Sequence, residues 1–269
     1  MPESPLSPEP SVLVVVPTYN EIENLETLLA GLHAAAPHAH ALVVDDNSPD
    51  GTGARADEIA AVDPRVHVLH RAGKQGLGRA YVAGLSWGVA RGYDRILQID
   101  ADLSHDPAAV PSLLAASDSA DLVLGSRYVP GGGTENWGLV RRLLSRGGSL
   151  YAKIILGLPQ NDLTGGFKCW RRETLEAIDL PSVRSDGYSF QIETTYRAVL
   201  KGFRVAEVPI RFVDRVDGVS KMSKRIVVEA VSMVWKLRAS RAAIRASGTN
   251  NSVAATPIAR RDPAAKPAR

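Results

Sequence analysis

Two aspartates one residue apart carry the sharpest chemical signal in the chain. Asp100-Ala101-Asp102 follows directly on the apolar stretch Ile96-Leu-Gln-Ile99, so a buried strand delivers both carboxylates to its carboxyl end. Two oxygen ligands placed there can converge on a hard divalent ion, Mg2+ or Mn2+, whose shell a bound diphosphate would complete. A D-x-D tripeptide also arises by chance as a pair of loop acids; its position right after a strand favours the metal. His105 stands close by, but imidazole is softer than the ligands such ions usually take.

Further candidates cluster at other strand ends. The first apolar run closes on Pro17-Thr-Tyr-Asn-Glu21 and the second on Asp45-Asp46. Tyr19 can stack on a base, and Glu21 and Asp46 can accept from base or ribose donors. Asn20 and Glu21 equally suit a helix start, Asn20 as cap and Glu21 at the positive end of the dipole. A basic set comprises Arg127, Arg141, Arg142 and Arg146, with Arg215 and Lys221 in the loop Asp214-Arg-Val-Asp-Gly-Val-Ser-Lys221. Such side chains facing an acid-bound cation suit a site that holds several phosphates together.

Two phosphate-binding readings are excluded. The first strand-to-helix turn has no glycine, so a dinucleotide G-x-G-x-x-G is absent there. Gly73, Gly76 and Gly78 run into Arg79-Ala80-Tyr81 without the third glycine, and no P-loop exists.

Positioning these residues requires alternating elements. Ser11–Val16, Ala41–Val44, Val66–Leu69 and Arg95–Ile99 read as buried strands. Between them lie an amphipathic helix with Ile22, Leu25, Leu28, Leu29 and Leu32 on one face, a helix over Thr52–Val62, and a helix over Gly78–Arg91. That alternation predicts a doubly wound α/β sheet with right-handed crossovers, which binds ligands beyond the carboxyl ends of its strands. Further along, Leu122–Gly125 is predicted as a strand, Leu139–Leu156 as a helix, Leu163–Arg172 as a strand, Tyr188–Leu200 as a helix, and Arg204–Val213 as one or two strands. A final helix is predicted from Ile226 to about Ile244.

The chain has 269 residues, 45% hydrophobic and 23% charged, values that exclude wholesale disorder and fibrous folds. No apolar run approaches the roughly 18 to 20 residues of a spanning helix, and MPESPLSPEP lacks the build of a signal peptide. A lone Cys169 fits a reducing cytoplasm. The pI near 9.0 belongs mostly to one end. From Arg238 onward seven basic residues stand against Asp262, a net of +6 against +3 for the whole chain, which leaves residues 1–237 near −3. A nucleic-acid partner is therefore not expected.

With these residues laid out, the chain resembles the inverting family-two glycosyltransferases. The resemblance is carried by Pro17-Thr-Tyr-Asn-Glu21, Asp45-Asp-Asn-Ser-Pro-Asp-Gly51, Asp100-Ala-Asp-Leu-Ser-His105 and Gly125-Ser-Arg-Tyr128. Asp162-Leu-Thr-Gly-Gly-Phe-Lys168, Gly187-Tyr-Ser-Phe-Gln191, Glu207-Val-Pro-Ile210 and Phe212-Val-Asp-Arg215 narrow it to something similar to the polyprenol-phosphate (dolichol-phosphate) mannose synthases. The resemblance implies a GT-A fold, a Rossmann-like doubly wound mixed sheet in one domain over residues 11–225. Disordered ends at 1–10 and 247–269 and an amphipathic helix at 226–246 would flank it. It implies transfer of mannose from GDP-mannose to polyprenyl phosphate, with another donor such as UDP-glucose as the alternative. A catalytically silent relative is a further reading, against which the intact Asp100, Asp102 and Arg127 argue.

Carried over residue by residue, Pro17, Tyr19, Glu21, Val44 and Asp46 would line the guanosine pocket. Asp100, Ala101 and Asp102 would meet ribose, diphosphate and metal, with Asp100, Asp102 and Ser104 as metal ligands and Asp102 the firmest. Arg127, Arg215 and Lys221 would hold phosphates, and Arg141 and Ser145 the acceptor phosphate. Asp102, Arg127 and Arg215 would carry catalysis, with Asp162 as a reserve base. The lipid acceptor implies an enzyme on the cytoplasmic face of a membrane. The last helix, with Ile226, Ala230, Met233, Leu237 and Ile244 in a stripe beside Trp235, Arg238, Arg241 and Arg245, has three roles open to it: lying on the membrane, packing on the protein, or docking a membrane protein.

Overall fold

The computed structural model describes residues 10–183, 185–213 and 224–247. Strand β1 (Val12–Thr18) is buried along its whole length and pairs in parallel with β2 (His40–Asp45) and β4 (Arg95–Gln98). Strand β3 (Val66–His70) continues the sheet beyond β2. Helices α1 (Ile22–Ala35), α2 (Thr52–Val62) and α3 (Leu77–Ala90) make the crossovers. β1 is apolar at every position from Val12 to Val16 because both of its faces are covered. Val12, Val14 and Val16 pack with Leu25, Leu28, Leu29 and Leu32 of α1, while Leu13 and Val15 pack with Tyr81 and Leu85 of α3. Helix α3 lies so close that a Cβ on Gly84 would stand 2.4 Å from Val15 Cγ1, an approach only glycine allows.

The second half is mixed. After a short 3-10 turn at Pro107–Ala109 come α4 (Val110–Ala116), β5 (Leu122–Ser126), β6 (Gly133–Glu135), α5 (Leu139–Leu156), β7 (Lys168–Arg171), α6 (Arg172–Ala177), α7 (Gly187–Leu200), β8 (Val205–Pro209) and β9 (Arg211–Val213). Strand order in the main sheet is β3-β2-β1-β4-β7-β5-β8, with β7 antiparallel to both neighbours. β6 and β9 form a separate parallel pair.

Two expectations change, and a third, for one or two strands, resolves into two. The strand predicted over Leu163–Arg172 is only β7, because residues 163–167 form a loop at the sheet rim and Arg172 opens α6. Arg204–Val213 divides into β8 and β9 at Ile210, whose N–H donates to Ser126 O. The predicted final helix is α8 (Lys224–Ala239) and α9 (Arg241–Ala246), broken at Ser240.

In α8 and α9, Val234, Leu237 and Ile244 are buried with Ala152 and Leu156 of α5 and Ile192 and Tyr196 of α7. The described part of the predicted stripe therefore packs on the protein, while Trp235 is exposed; the Ile226 and Ala230 side chains lie outside the described residues. The large exposed apolar surface sits on α5 instead. Leu139, Val140, Leu143, Leu144, Leu150 and Ile154 are each between 48 and 75% exposed. No helix among the described residues is long and apolar enough to cross a membrane.

Candidate active site

Strand β4 runs into buried Ile99 and then the acid motif. Asp100 Oδ1 accepts a hydrogen bond from Tyr81 Oη at 2.6 Å. Tyr81 is wholly buried on α3 and stacks on Phe190 of α7, ring centroids 5.9 Å apart. Burial, reinforced by the Asp100 charge, holds its phenol well above the ordinary value, so it stays a neutral donor. Asp102 Oδ1 accepts from both the backbone N and Oγ of Ser104, at 3.0 and 2.5 Å. Leu103 between them takes φ 58°, an uncommon conformation for a bulky residue, which folds the turn back onto Asp102. The Ser104 hydroxyl thus orients Asp102.

These residues fit a hard divalent cation. The donor set is carboxylate and hydroxyl oxygen, and Gly166 leaves room beside Asp100, where a Cβ would sit 3.2 Å from Oδ2. Among the described residues no three His, Cys, Asp or Glu side chains converge to hold a metal, so a cation here would need ligand oxygens as well.

At the other end of the rim, two loops are stitched together by the Asp45–Gly51 motif. The backbone N–H of Asn20, Glu21 and Ile22 donate to Ser48 Oγ, Thr52 Oγ1 and Asp50 Oδ2. Asn20 is in the left-handed region (φ 59°) and Glu21 is the N-cap residue of α1, so Asn20 does not cap the helix as expected. Asp45 is consumed internally by Thr18 and Ser48. Pro17 and Val44 are buried where β1 and β2 end, and Ala101 where β4 gives way to the acid motif. Tyr19 lies under the Lys74 ammonium, 3.8 Å from its ring centre. Glu21 accepts from Asn24 Nδ2. Buried Asp46 pairs with Arg71; burial raises its pKa, with Arg71 pulling the other way. Arg71 and Lys74 belong to no quoted motif, and their only sequence signal is the Gly-rich loop after β3. The Gly76–Gly78 turn receives a protein carboxylate: Gly78 N donates to Asp186 Oδ1 at 2.5 Å.

The basic residues meet around an aromatic group. Arg127 is buried just after β5, and its Nε and Nη2 donate to Asp162 at 2.7 Å each. Its backbone N also donates to Asp162, and Nη2 reaches Thr164 Oγ1 at 2.8 Å. Burial raises the Asp162 pKa, but Arg127 and the backbone donors outweigh it and leave the carboxyl lowered. With both oxygens occupied, Asp162 cannot serve as the reserve base. Trp137 lies against two guanidiniums, with Arg141 4.3 Å and Arg127 5.5 Å from its ring centre. Ser145, one turn beyond Arg141 on α5, accepts from Tyr128 Oη at 2.7 Å. Arg142 and Arg146 are exposed.

The loop 162–166 joins the two clusters. Asp162 and Thr164 hold Arg127 while Gly166 lies against Asp100. Strand β9 closes the gap from the other side, Val213 N donating to Ser104 O and Phe212 bridging His105. His105 is buried between Phe167 and Phe212 with neither ring nitrogen bonded, and burial pushes its pKa down to about 4. Arg215 and Lys221 lie outside the described residues.

Residues 13–179 match the glycosyl transferase family 2 profile. The chain is 53% identical over 237 residues to undecaprenyl-phosphate mannosyltransferase of Micrococcus luteus, covering 87% of this chain and 98% of that protein. It is 51% identical over 242 residues to polyprenol monophosphomannose synthase of Mycolicibacterium smegmatis, covering 88% and 91%. Its fold is similar to glucosyl-3-phosphoglycerate synthase of Mycobacterium tuberculosis, solved with Mn2+ and UDP (TM-score 0.59, 21% identity, 89% and 82% covered) and with Mn2+ and UDP-glucose (TM-score 0.61, 19% identity, the same coverage). The mixed sheet is a GT-A-like fold, as the motifs implied. The chain belongs to glycosyl transferase family 2, in the polyprenol-phosphate mannose synthase branch to which its two relatives belong.

Proposed function

We propose that this enzyme transfers mannose from GDP-mannose to polyprenyl monophosphate, giving polyprenyl-phosphate mannose and GDP, in one inverting displacement assisted by Mg2+ or Mn2+. The observation that carries this reading is the loop 162–166, which holds the Arg127 guanidinium through Asp162 and Thr164 and lies against the Asp100 carboxylate through Gly166, on one sheet rim. The mannosyl-transferring relatives supply the sugar and the acceptor class.

Asp100 and Asp102 would hold the cation, Asp100 steadied by Tyr81 and Asp102 by Ser104. A bound divalent ion offsets negative charge growing on the departing diphosphate. Tyr19, Glu21 and Asp46, beside Arg71 and Lys74, would take the nucleoside. Arg127, oriented by Asp162, keeps Nη1 for a phosphate oxygen; Arg141 and Ser145 on α5, with Arg215 and Lys221, would gather the acceptor phosphate. Because that phosphate has a second pKa of about 6, it is largely dianionic near neutrality. Its oxygen attacks the anomeric carbon as the bond from that carbon to GDP breaks, and no protein base is needed. The basic groups hold two mutually repelling anions within reach of each other.

The acceptor is a lipid, and α5 supports where it would be met. At about 100° per residue, its six exposed apolar side chains fall within about 140° of one face. Arg141, Ser145 and the buried Ala152 and Leu156 share the other. An apolar face flanked by Arg142, Arg146 and Lys153 suits the headgroup boundary of an anionic bilayer, so α5 would lie on the membrane.

Incubation with polyprenyl phosphate, Mg2+ or Mn2+ and either GDP-mannose or UDP-glucose, followed by mass spectrometry of the extracted lipid, tests the reading. A mannosyl product from GDP-mannose alone is expected. A hexosyl product from UDP-glucose alone would transfer the same chemistry to the other donor, and no lipid product from either would overturn the proposal.

A further inference from the structure

Among the described residues several buried side chains carry an unpaired polar atom, and Trp137 is the one of them that lies against the guanidiniums of Arg127 and Arg141. It is 7% exposed, and its indole Nε1 is buried with no hydrogen-bond partner. Leaving such a donor unpaired is costly, and native structures rarely do so without a functional reason. Its surroundings supply one. The ring lies 4.3 Å from the Arg141 guanidinium and 5.5 Å from that of Arg127, and Phe212 braces it edge-on, ring centroids 5.2 Å apart. Stacking on an aromatic face helps to orient a guanidinium. Trp137 also lies just ahead of α5, the helix that carries Arg141 and Ser145.

We propose that Trp137 builds the acceptor end of the site, its ring fixing Arg141 and its unpaired Nε1–H donating to an oxygen of the bound phosphate monoester. The inference rests on the acceptor assignment above and adds a residue to it. The indole N–H is donor-only, so it would accept an anionic oxygen and reject a cationic or donor-only group. The bidentate pairing of Arg127 with Asp162 holds that guanidinium independently of Trp137, so loss of the indole should be felt at the acceptor and not at the donor.

Trp137→Phe keeps an aromatic ring and removes the N–H; Trp137→Leu removes both. Thermal unfolding first establishes that each variant is folded, and initial rates with each substrate varied then separate the two Michaelis constants. In Trp137→Phe the KM for polyprenyl phosphate should rise about tenfold, the scale of one hydrogen bond to a charged group, with the KM for GDP-mannose unchanged. Trp137→Leu should raise the acceptor KM further. The indole 15N–1H resonance missing from the Trp137→Phe spectrum should shift downfield in the wild type when a short-chain prenyl monophosphate is added. An acceptor KM in Trp137→Phe within twofold of wild type, an equal rise in both constants, or an unmoved indole resonance at saturating prenyl phosphate would overturn the role of Trp137. Absence of transfer to polyprenyl phosphate by the wild type would instead sink the acceptor assignment and this inference with it.

Discussion

Asp162 grips Arg127 from two directions. Its carboxylate receives Nε and Nη2 at 2.7 Å each and the Arg127 backbone N–H at 3.0 Å, with both side chains at most 3% exposed. Backbone and side chain of Arg127 are thereby fixed together, at the point where β5 leaves the sheet. Removing the carboxylate charge while keeping its shape, as in Asp162→Asn, leaves a buried guanidinium without its counter-ion. The expected cost is about 3–5 kcal/mol of folding stability, read from urea denaturation. An Asp162→Asn protein as stable as wild type would show that the pair is not what holds Arg127.

Tyr81 reaches the acid motif from a helix rather than from the rim. Tyr81→Phe removes only the hydroxyl that donates to Asp100, so stability should fall by about 1 kcal/mol. Outer-shell partners of metal ligands typically matter more for affinity, about 10- to 100-fold. Titration of Mn2+ in the presence of GDP should show at least tenfold weaker binding in Tyr81→Phe. Equal affinity in both proteins would place Asp100 outside the cation's shell.

Burial pushes His105 down from the usual 6.5 to about 4. In between, the unfolded chain takes up a proton that the folded chain refuses, so stability falls as pH drops from 6.5 towards 4 and is level above that range. Between pH 7 and pH 5 the loss should approach about 2 kcal/mol. Urea midpoints in EDTA should therefore decline more steeply in wild type than in His105→Phe, which places a third ring against Phe167 and Phe212. Parallel declines would mean that the imidazole is protonated in the folded state.

Much of this site is legible in the chain because its ligands follow strands that announce themselves. β1 opens as an unbroken apolar run and β4 is a short buried segment leading into Ile99, so Pro17 and the Asp100–Asp102 pair are placed at their ends without reference to anything distant. β6 is not legible in that way, and β7 and β9 are legible only as parts of longer predicted strands. They are three or four residues long, and only pairing with segments far along the chain makes them strands. Tyr81, Trp137 and Arg71 are missed because their importance lies in what they touch across the fold. Asp162 falls within a recognised motif yet serves as a partner to Arg127, a role fixed by the way the chain folds back to bring together two residues 35 positions apart.

The contrast between α5 and the described part of α8 is more instructive, because periodicity reveals an apolar face without revealing what covers it. α8 turns Val234 and Leu237 inward, whereas α5 turns Leu139, Leu143, Leu150 and Ile154 outward. Burying one leucine side chain in an apolar phase is worth about 1.5–3 kcal/mol, so Leu143→Asp should weaken co-sedimentation with anionic phospholipid vesicles by about tenfold or more. Leu139→Asp should act similarly, and both variants should unfold at wild-type temperature, since neither side chain contributes to the core. Leu237→Asp, by contrast, puts a charge among the buried Ala152, Leu156, Ile192 and Tyr196 and should lower the melting temperature. Added salt should weaken vesicle binding of the wild type as the charges of Arg142 and Arg146 are screened. If Leu143→Asp binds vesicles as wild type does, the membrane is met by another surface.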